Sequence, residues 1–184
     1  KLIANNKRVI IKTLNSNFPS DYDVSKTKHE YEILKQLVNV EGVIQVTQLF
    51  ENNNTLMMVF DNIEGETLKD IFLRKEKLSK NITIEERLKV AILATRALNN
   101  IHLNHIIHKD ISPDNIIYNP STKQVKIIDF GISSQLTFEQ HSFLNHNELE
   151  GKLDYISPEQ TGRINKVVDY RSDLYSWGVT LQKH

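Results

Sequence analysis

The apolar residues of this chain change their spacing about a third of the way along, and that change constrains the fold more than any other feature. Arg8 to Lys12, Val43 to Phe50 and Leu56 to Phe60 are short β-branched or apolar runs set off by polar turns, which predicts strands. Lys1 to Ala4 reads as the stub of a strand before the first of them, and Glu51 to Thr55 as a hairpin loop between the last two. Thr83 to Leu103 instead repeats Leu88, Ala91, Ile92, Thr95, Leu98 and Ile101 at helical spacing, with Thr83 and Glu86 placed for a capping box. Val24 to Val38, with Tyr31, Leu34, Leu37 and Val38 on one face, and Thr67 to Arg74 read as helices. Ile116 to Tyr118 and Val125 to Ile128 are short strands around the Asn119-Pro120 turn, and Asp173 to Leu181 begins another helix. Gly131 to Gln160 has no sustained period, the mark of a functional loop. A chain that is strand-rich first and helix-rich later predicts an α+β fold in two lobes.

Composition narrows the function. The 184 residues carry 23 Lys+Arg against 23 Asp+Glu, without the cationic excess of a nucleic-acid or membrane-surface protein. There is no Cys, so disulfides and thiolate metal sites are excluded. Apolar runs such as Leu56 to Phe60 are far too short to span a bilayer. No charged-then-apolar leader opens the chain, and a cytoplasmic location is expected.

The chemistry concentrates in His108-Lys109-Asp110-Ile111-Ser112-Pro113-Asp114-Asn115 and in Asp129-Phe130-Gly131. Asp110, Asn115 and Asp129 put three oxygen-bearing side chains on loops flanking two short strands. Mg²⁺ prefers oxygen ligands and takes one or two from protein, with phosphates and water completing the set. Asn115 and Asp129 suit that role, which leaves Asp110 to accept a proton from an attacking hydroxyl. His102, His105 and His108 recur every third residue, but that spacing spreads around a helix and does not converge on a metal.

These segments resemble the catalytic loop and the metal-binding Asp-Phe-Gly of the eukaryotic-type protein kinases. Val9-Ile10-Ile11-Lys12 is similar to the strand lysine motif, and Glu30 stands where its ionic partner belongs, on the face of Leu34, in preference to Glu32. Ser157-Pro158-Glu159 resembles the close of the activation segment, and Asp173 to Gly178 the helix start that braces the catalytic loop. Tyr155 to Arg163 with Asp169 to Ser176 is further similar to the kinase-like domain of large bacterial proteins that also carry ATPase, GAF sensor and histidine kinase modules. The resemblance implies a two-lobed kinase-like fold incomplete at both ends. Residues 1–61 would form a small antiparallel-sheet N-lobe with one helix and without its Gly-rich loop, and residues 62–184 part of a helical C-lobe.

It also implies ATP and Mg²⁺ as cofactors, a Ser/Thr hydroxyl of a protein partner as acceptor, further domains in the same polypeptide and a signalling role. Lys12 would hold the α/β-phosphates with Glu30 bracing it, Asp129 and Asn115 would hold the metal, and Asp110 would act as base. Ile10 and Ile117 would sandwich the adenine, the backbone of Asp61 and Ile63 would bond it, and Phe60 would guard the space behind. Leu34, Val46, His108 and Phe130 would form a packing stack. The implied alternatives are a pseudokinase docking module and a small-molecule kinase of the choline or aminoglycoside type. The isolated stretch is expected to bind ATP weakly and to expose apolar faces of 83–103 and 173–181.

Three positions depart from the family. Ser112 stands where most Ser/Thr kinases have Lys, Lys152 stands where they have Thr, and the exchange suggests a cation moved across the cleft. Lys109 replaces the usual Arg of the catalytic loop.

Overall fold

The structure, a computed structural model, describes residues 2–4, 7–14, 19–52, 55–77, 83–136, 151–162 and 166–183. Lys1, the loop tip Asn53-Asn54 and nearly half of the aperiodic stretch, residues 137–150, lie outside the described residues.

Strands β1 (Leu2–Ala4), β2 (Lys7–Thr13), β3 (Val46–Asn52) and β4 (Thr55–Asp61) form an antiparallel sheet in the order β1-β2-β4-β3. The β2–β4 register pairs Ile10 with Phe60 and Lys12 with Met58. The third strand starts at Val46 and not at Val43, because Val43 makes an isolated parallel bridge to Ile127 instead. Helix α1 (Asp21–Gln36) begins three residues before the expected Val24. Ser20 and Asp23 close a capping box there, with Ser20 Oγ accepting from the Asp23 amide and Asp23 Oδ2 from the Ser20 amide, each at 3.2 Å. Its inward face is Thr27, Glu30, Ile33 and Leu34, whereas Val38, expected on that face, is exposed.

The second part holds helices α2 (Leu68–Lys77), α3 (Ile84–Leu103) and α4 (Tyr170–Lys183). Three short ladders accompany them. Strand β5 (Glu66–Thr67) pairs β7 (Ile116–Asn119), β7 pairs β8 (Gln124–Ile127), and β6 (Ile106–Ile107) pairs β9 (Ser134–Gln135). Thr67, expected to open a helix, is therefore in a strand opposite Ile117, and Ser134 lies in a ladder within the supposed aperiodic loop.

Helix α3 corrects the expected stripe. Leu98 and Ile101 are buried, but so are Val90, Ala94 and Ala97, while Leu88 and Ile92 face solvent. The helix has two apolar faces, and the one lined by alanines is turned inward because backbone packs against it. Gly42 lies there with φ +84°, and a Cβ added to it would stand 2.4 Å from Ala97 Cβ. Of the Thr83–Glu86 capping box only half forms: Thr83 Oγ1 accepts from the Glu86 amide at 3.1 Å, and the Glu86 carboxylate turns to Tyr118 and Lys123. Leu174 and Leu181 of α4 are also half exposed.

One core runs through both parts, from Ile33, Leu34 and Phe60 to Ala97, Ile116, Ile127 and Phe130. Ile44 donates to the Ile127 carbonyl at 3.0 Å and Ile127 to the Gly42 carbonyl at 2.8 Å, tying the segment before β3 to the β7–β8 hairpin. Gly42→Ala is expected to cost about 3 kcal/mol in denaturant unfolding, from left-handed backbone strain plus overpacking. Gly162→Ala has a similar φ of +69° but no atom within 4 Å, so it should lose only the backbone share, about 1–2 kcal/mol. Equal losses at the two sites would contradict the close-approach account.

Candidate active site

The segment from His108 to Ser112 lies outside helix and strand and is largely buried, so its backbone groups need partners from elsewhere. Asp173, at the start of α4 and with no exposed surface, supplies two. Its Oδ2 accepts from the His108 amide at 2.9 Å and its Oδ1 from the Lys109 amide at 2.8 Å. His102 Nε2 is 2.8 Å from the same Oδ2, fixing the carboxylate's orientation. Lys109 adopts φ +67°, which turns the chain sharply at this point. Its carbonyl accepts from Gln160 Nε2 at 2.8 Å, and the His108 carbonyl accepts from Ser133 Oγ at 3.0 Å.

His108 is buried and bonded on both ring nitrogens. Nε2 donates to the Ile128 carbonyl at 3.1 Å, and Nδ1 accepts from the Asp110 amide at 3.3 Å. Its ring meets Phe130 edge-on, with centroids 4.7 Å apart, and Leu34, Val46, His108 and Phe130 are all buried. Each of the three spaced histidines has its own neighbour: Asp173 for His102, Tyr170 for His105 and Ile128 for His108.

Both oxygens of Asp110 are held. Oδ2 accepts from Asn115 Nδ2 at 2.7 Å, and Oδ1 from the Lys152 amide at 3.2 Å. Asn115 Nδ2 also donates to the Asp110 carbonyl at 2.8 Å. That commits the amide group of Asn115 and leaves Oδ1 as its acceptor for a cation, the donor type Mg²⁺ takes. Gly151, with φ +105°, lets the backbone run close to the loop, since a Cβ there would stand 3.3 Å from the Lys109 carbonyl oxygen.

Across the cleft, Lys12 Nζ is 2.8 Å from each oxygen of Glu30 and 2.9 Å from Asp129 Oδ1. Glu32, the rival carboxylate, is on the outer face and pairs with Lys35 at 3.8 Å. Burial opposes the Lys12 charge, but Glu30 and Asp129 outweigh it and raise its pKa above the ordinary lysine value. Burial raises the Glu30 carboxyl despite Lys12, whereas at Asp129 the Lys12 charge overcomes burial and holds the carboxyl low. The cluster thus keeps an ammonium and an ionised Asp129 side by side. It borders a cavity of about 330 Å³ that also reaches Lys26, Asp110 and Gly131. Gly131 lies against the cluster, a Cβ there standing 3.4 Å from Asp129 Oδ1, an ordinary contact distance. The space, the cation and the paired oxygen ligands fit a phosphate-bearing ligand with Mg²⁺.

The remaining residues expected around a base lie along β2, β4 and β7. Ile10 and Ile117 are partly buried, and Phe60 is buried at the end of β4. The Asp61 amide donates to the Gln45 carbonyl at 3.0 Å, so any bond from Asp61 to a base runs through its carbonyl. Ile63 follows in the connection to β5.

Sequence reasoning missed His102, Ser133 and Gln160 as supports of the catalytic loop. His102 was legible only as a helix histidine, because its partner lies 71 residues later.

The profile of the protein kinase domain matches residues 1–184. A probable serine/threonine-protein kinase of Clostridium perfringens is 33% identical over 177 residues, covering 96% of this chain and 24% of the relative. One from Clostridium acetobutylicum is 30% identical over 177 residues, covering 96% of this chain and 25% of its own length. A serine/threonine-protein kinase of Mycobacterium tuberculosis is 36% identical over 124 residues, 67% of this chain and 19% of that protein. The chain spans about a quarter of the length of the first two relatives. With a lysine–glutamate–aspartate cluster facing a braced catalytic loop, and a match over its whole length, this chain belongs to the protein kinase domain family.

Proposed function

We propose that this chain is the catalytic part of an ATP-dependent protein kinase that phosphorylates Ser or Thr hydroxyls. The observation that carries this reading is the Asp110–Asn115–Lys152 arrangement, a carboxylate held on both oxygens and opposed by the Lys12–Glu30–Asp129 cluster. The names of its relatives support the choice of acceptor.

In this reading residues 1–61 and 62–184 are the two lobes. Lys12, fixed by Glu30, bonds the α/β-phosphates of ATP. Asn115 Oδ1 and Asp129 hold Mg²⁺, which when bound neutralises phosphate charge. Ile10 and Ile117 flank the adenine, and Asp61 and Ile63 bond its edge through backbone. Asp110 orients the acceptor hydroxyl and takes its proton, and the hydrogen bonds from Asn115 and Lys152 keep the carboxylate aimed. Positioning and charge stabilisation supply most of the rate in such transfers. We also propose a cytoplasmic setting and further modules in the same polypeptide, supported by the Tyr155–Ser176 resemblance and the greater length of the relatives. No described helix is long and apolar enough to cross a membrane.

Incubating the full-length protein with γ-labelled Mg·ATP, followed by acid hydrolysis of the labelled products, tests the reading. Phosphoserine or phosphothreonine is expected. Label found only in phosphotyrosine or in a small molecule would overturn it.

A further inference from the structure

Lys152 stands out once the site is assembled, because it reaches the catalytic loop twice. Its backbone amide bonds Asp110 Oδ1 at 3.2 Å. Its side-chain Nζ lies 3.0 Å from Ser112 Oγ and 2.9 Å from Asp114 Oδ2. The ammonium is therefore anchored two residues beyond the proposed base, on a serine with no exposed surface. Lys12 lies on the opposite, nucleotide side, with Glu30 and Asp129.

The counter-ion is shared. Asp114 offers Oδ2 to Lys152 and Oδ1 to Lys69 Nζ at 2.8 Å. Two ammonium groups on one carboxylate leave a positive charge in surplus within this trio. If Lys152 let go, Asp114 would keep Lys69, so detachment strands no carboxylate. Lys152 also borders a cavity of about 490 Å³, with Phe72, Leu73, Leu153 and Tyr155 around it. That is room for an acceptor segment against Lys152 and Asp114, while Asp110 borders the neighbouring cavity shared with Lys12 and Asp129.

We infer that Lys152 is the acceptor-side cation of the transfer step: its amide aims Asp110 while its ammonium moves from Asp114 to an oxygen of the phosphoryl group in flight. The inference rests on the kinase reading above. In the step, the bond from the γ-phosphorus to its bridging oxygen breaks, and ADP leaves with the electron pair. A bond forms between that phosphorus and the acceptor oxygen, and the acceptor proton passes to Asp110. Lys152 keeps its protons throughout and acts as a point charge on the equatorial oxygens, where transition-state charge accumulates.

The test uses the full-length protein, dephosphorylated casein as probe acceptor, and Mg·ADP with or without aluminium fluoride as a mimic of the phosphoryl group in flight. Lys152→Met should lower kcat about 10- to 100-fold, the range for losing one preorganised charge, with KM for ATP changed less than about threefold. It should weaken the aluminium fluoride complex by a similar factor and leave ADP affinity alone. Lys152→Arg should keep most of the rate. The exchange variant Ser112→Lys with Lys152→Thr should recover at least about tenfold over Lys152→Met, a rescue that a merely structural lysine would not give. An active wild type with Lys152→Met within twofold of it in both readouts overturns the inference and spares the kinase reading. A wild type that neither transfers phosphate nor prefers the aluminium fluoride complex over ADP overturns both.

Discussion

Asp173→Ala is expected to unfold the protein more readily by about 3–5 kcal/mol, the range for breaking one side of a buried charged network. The carboxylate has no exposed surface and accepts from the His108 and Lys109 amides and from His102 Nε2. Alanine leaves two backbone N–H groups of the catalytic loop without their acceptor, and each buried unpaired amide costs about 1–3 kcal/mol. For a domain of this size the loss corresponds to a fall in Tm of about 10 °C. Asp173→Asn keeps one carbonyl oxygen for these donors and should lose less. Phosphoryl transfer should fall in both variants, since Asp110 follows the two tethered amides directly in the chain. A thermal or denaturant melt of Asp173→Ala within about 1 kcal/mol of wild type would show that the loop does not depend on this anchor.

How much of this was legible in the sequence differs by element. The β2 strand and Lys12 could be read because a β-branched run fixes which residues share a face, and Glu30 because helix spacing puts it over Leu34. The start of α1 was missed because its box uses Asp23 in place of the usual Glu or Gln. Two-residue strands such as Glu66–Thr67 and Ser134–Gln135 carry no period at all, and only their partners in β7 and β6 define them. The face of α3 was misread because two apolar stripes compete along it. Tertiary approach decides between them: Gly42 needs the small Ala97, which leaves Leu88 and Ile92 outside. Within the site, the chemistry-bearing Asp110, Asn115 and Asp129 stood out as a motif. Of their supports only Asp173 did, through the resemblance of its helix start; His102, Ser133 and Gln160 did not, because they act through contacts 25 to 71 residues apart. The reciprocal change at Ser112 and Lys152 was visible, but that the two side chains meet was a matter of three-dimensional placement.

Asp110→Asn carries the second large effect. In the proposed transfer Asp110 takes a proton from the acceptor hydroxyl, and an amide oxygen is far too weakly basic to do so. The substitution is nearly isosteric, and Asp110 lies across the cleft from the Lys12–Glu30–Asp129 cluster that would hold the phosphates. Nucleotide affinity should therefore stay within about threefold, while the transfer step slows by about 10²–10⁴-fold, the usual range for losing a general base. A module that uses the fold only for docking would respond differently, since removing a base it never uses would change nothing. The measurement that separates the two is single-turnover transfer of the γ-phosphoryl group from Mg·ATP by the full-length protein, wild type against Asp110→Asn, with nucleotide binding measured on both. A wild type that turns over and an asparagine variant that binds Mg·ATP normally but transfers at least about 10²-fold more slowly is the predicted result; equal transfer rates in the two proteins, with nucleotide bound, would contradict it.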